Sequence, residues 1–350
     1  MRVLFLYTEL AAYFIRCCEK LAEHADVHIV RWPVNAEAPF AFEFPRGVTV
    51  YERKEYDPET LQRLVKMIDP SMIVCSGWID KGYLAAVGKW ARKIPTVLAL
   101  DTKWTGSARQ QVARLAGRLL LGRRFSHAWV PGGAQLKYAR RLGFPVHRIR
   151  TGFYSCDLDR FNDYYNRFSA GKKERFPKRF VFTGRYYAFK GVEHLWRAFG
   201  SLTEEERKGW ELWCAGTGSI KPAPHHAIRH FGFVQPSQLD EIMEGGGVFI
   251  LPSTFEPWAV VVHEFAAAGF PLALSTEVGA AETFLKEGHN GFSFKAGDET
   301  SLKATLKKVI ALSDKDLFLM AERSHTLAQE NSPHKWARTA LDIINGWHNK

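Results

Sequence analysis

Gly247-Val248-Phe249-Ile250-Leu251-Pro252, followed after three residues by Glu256-Pro257-Trp258-Ala259-Val260-Val261-Val262-His263-Glu264 and then Phe265-Ala266-Ala267-Ala268-Gly269, decides how this chain is read. The first run is apolar and of strand length. The last has the composition of a helix closed by glycine. In a parallel α/β domain the loop after a strand and the start of the next helix face the ligand crevice. One glutamate falls in that loop, the other one or two turns into the helix. Both are expected to point at one small, hydroxyl-rich ligand, because a carboxylate accepts hydrogen bonds from adjacent hydroxyls. Helix-terminal amides nearby suit a phosphate. Taken singly, Glu256 reads as a helix cap and Glu264 as a solvated helix residue; Pro257, the run 266–268 and Gly269 favour the pair.

The same alternation extends through the chain. Apolar runs at residues 2–7, 27–32, 48–51, 71–75, 96–100 and 127–130 are separated by helical patterns such as 11–22, 58–68 and 83–92. The pattern restarts at 179–184 and continues at 210–215, 230–234, 248–251 and 271–274. This predicts an α/β protein of two Rossmann-like parallel-sheet domains with a cleft between them. Residues 1–155 form the first domain and 179–332 the second. The stretch 156–178, rich in Asp, Asn, Tyr and Lys, reads as a linker. Residues 333–350 read as a helix with Ser332 as N-cap and Pro333 at its first position. Its stripe of Trp336, Ala340, Ile343, Ile344 and Trp347 is expected to cross back onto the first domain.

With 350 residues the chain is long enough for two cores. The opening run is too short for a signal sequence and no transmembrane run occurs. Five cysteines without CxxC spacing predict a reduced, cytoplasmic protein without a zinc site. The net charge of +11 calls for an anionic partner. Between Thr102 and Cys156 there is no Asp or Glu, yet eleven Lys and Arg occur. Residues 107–124 read as a helix with Val112, Leu115, Leu119 and Leu120 on one side and Arg109, Arg114, Arg118, Arg123 and Arg124 elsewhere. Such a segment suits an anionic membrane surface or a phosphorylated acceptor. No nucleic-acid-binding motif is present, so no nucleic-acid partner is expected.

Three further elements lie near the glutamates in the predicted second domain. Gly184-Arg185-Tyr186-Tyr187-Ala188-Phe189-Lys190-Gly191 follows its first strand, and Arg185 and Lys190 are cations placed to reach a diphosphate, or else solvated loop residues. Ala215-Gly216-Thr217-Gly218 allows close backbone approach, or is a plain tight turn. Phe231-Gly232-Phe233-Val234 ends a strand at the same edge; its backbone reads a base or simply belongs to the core.

Taken in order with Asn290-Gly291, these elements resemble the second domain of GT-B retaining glycosyltransferases of family 4, the group 1 glycosyl transferases. The resemblance covers roughly residues 179–312 well and the first half loosely. It implies a metal-independent enzyme with no cofactor. The enzyme would move a hexose-type sugar from a nucleotide diphosphate sugar, UDP- or GDP-linked, to a hydroxyl of an anionic or lipid-linked cell-surface glycan. It implies that Arg185 and Lys190 clamp the diphosphate, Glu264 holds the ribose, and Glu256 meets the sugar. Gly184, Gly216, Gly218, Phe233 and Val234 line the donor, and the amides at Ala259 and Val260 meet the distal phosphate. Asp101, at the end of the run 97–100, either faces the reacting sugar or caps a helix. The chain departs from the family pattern at Ala259, where glycine is usual, at Phe265, and in the loop 7–12, which lacks glycine. A sugar-nucleotide epimerase and a non-catalytic nucleotide- or glycan-binding protein are the alternatives. The missing G-x-G-x-x-G after the first strand argues against a nicotinamide enzyme.

Overall fold

The computed structural model describes residues 1–33, 43–222, 224–235 and 238–348. The chain forms two compact units, Met1–Asp157 with Asn331–Lys350, and Leu158–Glu330. The first unit holds a sheet of β1 (Arg2–Tyr7), β2 (Asp26–Arg31), β3 (Val48–Glu52), β4 (Met72–Ser76), β5 (Thr96–Ala99), β6 (His127–Trp129) and β7 (Ile149–Arg150), in the order β3-β2-β1-β4-β5-β6-β7. The second holds β8 (Arg179–Thr183), β9 (Glu211–Ala215), β10 (Ile228–Gly232), β11 (Val248–Leu251), β12 (Leu272–Ser275) and β13 (Gly291–Phe294), in the order β10-β9-β8-β11-β12-β13. All these pairings are parallel. The fold is α/β with two Rossmann-like sheets. Central strands are apolar on both faces because helices cover both: Val3, Leu4, Phe5 and Leu6 are wholly buried, as are Phe249, Ile250 and Leu251. Strand order reverses between β1 and β4 and between β8 and β11. At such points the loops leaving neighbouring strands splay apart and leave a crevice.

The terminal helix, Pro333–His348, belongs to the first unit. Trp336 anchors it. The indole stacks on Trp129 with centroids 4.8 Å apart and on Phe5 at 5.7 Å, and its Nε1 donates to the Phe153 carbonyl at 2.7 Å. Ala340, Ile343 and Ile344 are buried beside it, and Ser332 Oγ accepts from the Lys335 amide at 3.1 Å. The last two residues of the 333–350 segment lie outside the described residues.

The stretch 156–178 is not a linker. Most of it is the 17-residue helix Leu158–Glu174, part of the second unit. Leu158, Phe161 and Tyr164 recur at helical spacing and are buried, while the Asp, Asn and Lys that suggested a linker mostly cover the outer faces. Lys172 is an exception. Its amine is buried without a hydrogen-bond partner, lies 3.7 Å from the centroid of the Phe270 ring, and has its pKa pushed down to about 7 by loss of water.

Candidate active site

In the second unit the loops after β8 and β11 stand on either side of the strand-order reversal. The loop after β8 runs through Gly184 and Arg185 to a short turn at Ala188–Lys190 and closes on Gly191. Gly191 has φ +68°, and a Cβ there would lie 2.1 Å from the Pro252 carbonyl oxygen. Only glycine lets the two loops touch here. A second contact ties them, since the Thr254 amide donates to the Phe189 carbonyl at 2.8 Å.

This approach brings Lys190 onto Glu256. The ammonium donates to Glu256 Oε2 in an ion pair whose side chains are 16% and 11% exposed. Ser253 Oγ, buried under the loop, donates to the same oxygen at 3.4 Å. Ser253 carries no sequence signal beyond its place after a strand. The Glu256 segment is held from below by the stretch after β12. The Gly279 amide donates to the Glu256 carbonyl at 3.0 Å and the Ala280 amide to the Trp258 carbonyl at 2.9 Å. A Cβ on Gly279 would lie 2.0 Å from the Pro257 oxygen.

The helix Val260–Ala267 starts from Ala259, which has φ 78° and offers no side-chain cap. An L-residue with positive φ crowds its own Cβ, which is why glycine is the ordinary occupant. The Val262 amide donates to the Ala259 carbonyl at 3.2 Å, while the Val260 and Val261 amides precede the first bond of the helix. Val262, His263, Phe265, Ala266 and Ala267 face inward. Val260, Val261 and Glu264 are half-buried, and Glu264 lies one turn beyond Val260 on the same side. Phe265 stacks on Phe249 with centroids 4.3 Å apart, so the large residue beside Glu264 is core. His263 is buried; its Nε2 donates to the Ala328 carbonyl at 2.9 Å and its ring stacks on Phe284. Burial lowers its pKa to about 4 and keeps the imidazole neutral near pH 7.

The glycines of 215–218 have a close-packing role. A Cβ on Gly216 would lie 1.9 Å from the Gly184 carbonyl oxygen, and one on Gly218 would lie 2.4 Å from that of Tyr186. The Tyr186 amide donates to the Thr217 carbonyl and the Ile220 amide to the Tyr186 carbonyl. The turn is thereby locked against the Arg185 loop. Arg185 is exposed, its guanidinium carbon 5.5 Å from the Tyr187 ring centroid. Phe233, just beyond β10, is 39% exposed and Val234 is half-buried, so this stretch is not core strand.

In the first unit Asp101 follows β5 at its carboxyl end and is exposed. It caps no helix: the helix Ala108–Leu120 is capped by Ser107, whose Oγ accepts from the Gln110 amide. The Tyr154 hydroxyl donates to Asp101 Oδ2 at 3.2 Å, and Gln135 Nε2 donates to its carbonyl at 3.0 Å. Burial raises the Tyr154 pKa, so the phenol remains a donor. Tyr154 escapes sequence reading because it lies past the last apolar run of the first domain and belongs to no motif. The Arg109, Arg114 and Arg123 side chains are exposed and Arg124 is half-buried, its guanidinium donating to the Leu120 carbonyl. Arg118 falls in the same helix, and its side chain lies outside what is described. No helix among the described residues is long and apolar enough to cross a membrane.

Residues 177–312 match the sequence model of the family described as glycosyl transferases group 1. A glycosyltransferase of Methanocaldococcus jannaschii, itself uncharacterised, is 31% identical over 123 residues, 33% of this chain and 31% of its own length. The glycogen synthase of Mycobacterium tuberculosis is 30% identical over 152 residues, 41% of this chain and 36% of its own. The matches thus span about a third of these relatives. Among solved structures, Anabaena HepE in complex with UDP superposes with a TM-score of 0.72 at 14% identity, over 99% of this chain and 100% of HepE. WaaG, a glycosyltransferase of lipopolysaccharide biosynthesis, gives 0.68 at 16% identity over 99% and 100%. The fold is GT-B, and residues 177–312, within the second unit, are similar to the glycosyl transferases group 1 family.

Proposed function

We propose that the protein is a glycosyltransferase that binds a nucleotide diphosphate sugar on its second unit and moves the sugar to a hydroxyl acceptor, with retention at the anomeric carbon and without a metal. The observation that carries this reading is the Lys190–Glu256 pair, set at the strand-order reversal beside the uncapped start of Val260–Ala267. Lys190 has three N–H donors and directs one at Glu256, which leaves two for phosphate oxygens. Both Glu256 contacts fall on Oε2, so Oε1 is the oxygen available to a sugar hydroxyl. The first-turn amides and the helix dipole favour the distal phosphate. Glu264, one turn on, takes the ribose hydroxyls.

As the glycosidic bond breaks, positive character grows at the anomeric carbon and negative charge on the diphosphate. Lys190, Arg185 and the helix amides stabilise that charge without reorganising. Asp101, fixed by Tyr154, is assigned to the acceptor side. UDP is the favoured nucleotide, on the strength of the UDP complex of HepE, which shares the fold. The acidic-residue-free stretch 102–156 is assigned to an anionic partner, a lipid-linked or phosphorylated glycan at the inner face of a membrane.

A panel of nucleotide diphosphates and their sugars, read by thermal shift, tests donor binding; stabilisation grows with the logarithm of ligand concentration above Kd. Lys190→Ala with Arg185→Ala is expected to lower transfer or donor hydrolysis by on the order of 10²–10³ or more. Unchanged turnover would remove both residues from the site. Conversion of donor to an epimer with no acceptor present would replace transfer by epimerisation.

A further inference from the structure

The helix Ala108–Leu120 is turned inside out. Its inward side carries Gln110, Gly117 and the following Leu121. Gln110 is 8% exposed; its Oε1 accepts from the Thr105 and Gly106 amides at 2.7 and 3.1 Å, and its Nε2 donates to the Lys103 carbonyl at 2.9 Å. A Cβ on Gly117 would lie 3.0 Å from Leu142, so this face is pressed against the unit. The opposite face carries Val112, Leu115 and Leu119 at i, i+3 and i+7, with Leu120 beside them. They are 65%, 71%, 62% and 54% exposed. A helix packed only against its own core would place these four inward and the glutamine outward. Four large apolar side chains on one contiguous face of a soluble unit mark an interaction site.

The surroundings say what covers it. A cavity of about 730 Å³ adjoins the ridge, lined by Arg114, Leu115, Lys137, Arg140 and Arg141. Arg141 is braced with its guanidinium carbon 4.5 Å from the Trp104 ring centroid. No carboxylate occurs in the sequence from 102 to 156 to neutralise these cations. An apolar ridge beside a basic hollow matches a surface in which anionic headgroups lie directly over acyl chains. We propose that this helix lies in the plane of an anionic phospholipid bilayer, with Val112, Leu115 and Leu119 entering the acyl boundary. Headgroup phosphates occupy the hollow formed by Arg114, Lys137, Arg140 and Arg141. The inference rests on the reading of residues 102–156 as facing an anionic partner, and is independent of the transfer reaction.

The test is flotation of the full chain with vesicles of phosphatidylcholine alone or mixed with phosphatidylglycerol, at low and high salt. Binding is expected only with phosphatidylglycerol and should weaken as salt rises. Leu115→Ser with Leu119→Ser should lower partitioning by roughly a hundredfold, about tenfold for each buried leucine. Lys137→Gln with Arg140→Gln should reduce the preference for anionic vesicles while leaving the ridge intact. All these side chains are exposed, so thermal unfolding should stay unchanged and serve as the folding control. Three results would overturn the inference: no binding to phosphatidylglycerol vesicles, equal binding by the double serine variant, or a dimer in solution that the serines dissociate. Nucleotide stabilisation measured on the same samples separates the two readings, since its absence would count against donor binding and leave the docking surface standing.

Discussion

Breaking the Lys190–Glu256 pair from one side is expected to cost far more than removing it whole. Both side chains are largely shielded, and Glu256 Oε2 accepts from the neutral Ser253 hydroxyl. Glu256→Met leaves a shielded ammonium without its carboxylate, and Lys190→Met leaves the carboxylate with only a serine hydroxyl. Loss of one partner of a buried pair typically costs about 3–5 kcal/mol. Residual access to water lowers the expectation here to about 3 kcal/mol for each single change. The double variant replaces two charges by two apolar chains of similar length, a change that is often close to neutral. With the double near neutral, a double-mutant cycle should therefore return a coupling of about 6 kcal/mol, the sum of the two single losses. Guanidinium denaturation is a suitable assay, fitted with two transitions because the chain holds two cores. If the singles add to the double within about 0.5 kcal/mol, the two loops are not joined by this pair. The assignment of one cation and one carboxylate to a common ligand would then lose its basis.

Ala259→Gly should stabilise the second unit. An L-residue at positive φ costs about 1–2 kcal/mol, and the added freedom of glycine in the unfolded chain takes back about 0.4–1 kcal/mol. The net gain is up to about 1.6 kcal/mol, read from the denaturation midpoint; a loss of about 1 kcal/mol would show that the alanine methyl packs usefully. Lys172→Met should stabilise the same unit with a marked pH dependence. The folded-state pKa near 7 lies below the unfolded 10.5, so the unfolded chain holds the extra proton between those values. The penalty is complete at pH 7 and below, reaches at most about 5 kcal/mol, and fades as pH rises toward 10.5. The gain from methionine should shrink along the same path, and a gain independent of pH would mean that the amine keeps its ordinary pKa in the folded unit and carries no desolvation penalty. His263 works in the opposite region: its contribution is intact above pH 6.5 and declines by up to about 3 kcal/mol as pH falls toward 4. His263→Phe would break the bond to Ala328 but should flatten that acid limb.

What the sequence discloses and what it hides both follow from where each residue is held. Strands such as β1 and β11 are legible because helices cover both faces, and the requirement for apolar side chains leaves an unbroken run. β7 has two residues, one of them Arg150, and no run exists to be read. β13 begins at Gly291, where a Cβ would lie 1.9 Å from the Leu272 carbonyl oxygen; a glycine demanded by close strand approach looks in sequence like a turn. The same ambiguity governs the candidate site. Gly216 and Gly218 attract a donor-binding reading, and each, like Gly191, also has another backbone pressed against it. What such glycines do for a ligand is indirect: they bring Lys190 and Glu256, 66 residues apart, within reach of one group. The helix Ala108–Leu120 shows the limit most clearly. Its periodicity is correctly readable as amphipathic, but periodicity carries no sign, and only Gln110 and Gly117 on the packed side reveal that its apolar face points away from the core. A sequence read for cores alone would bury that face, and with it a surface on the first unit where apolar exposure and clustered positive charge coincide.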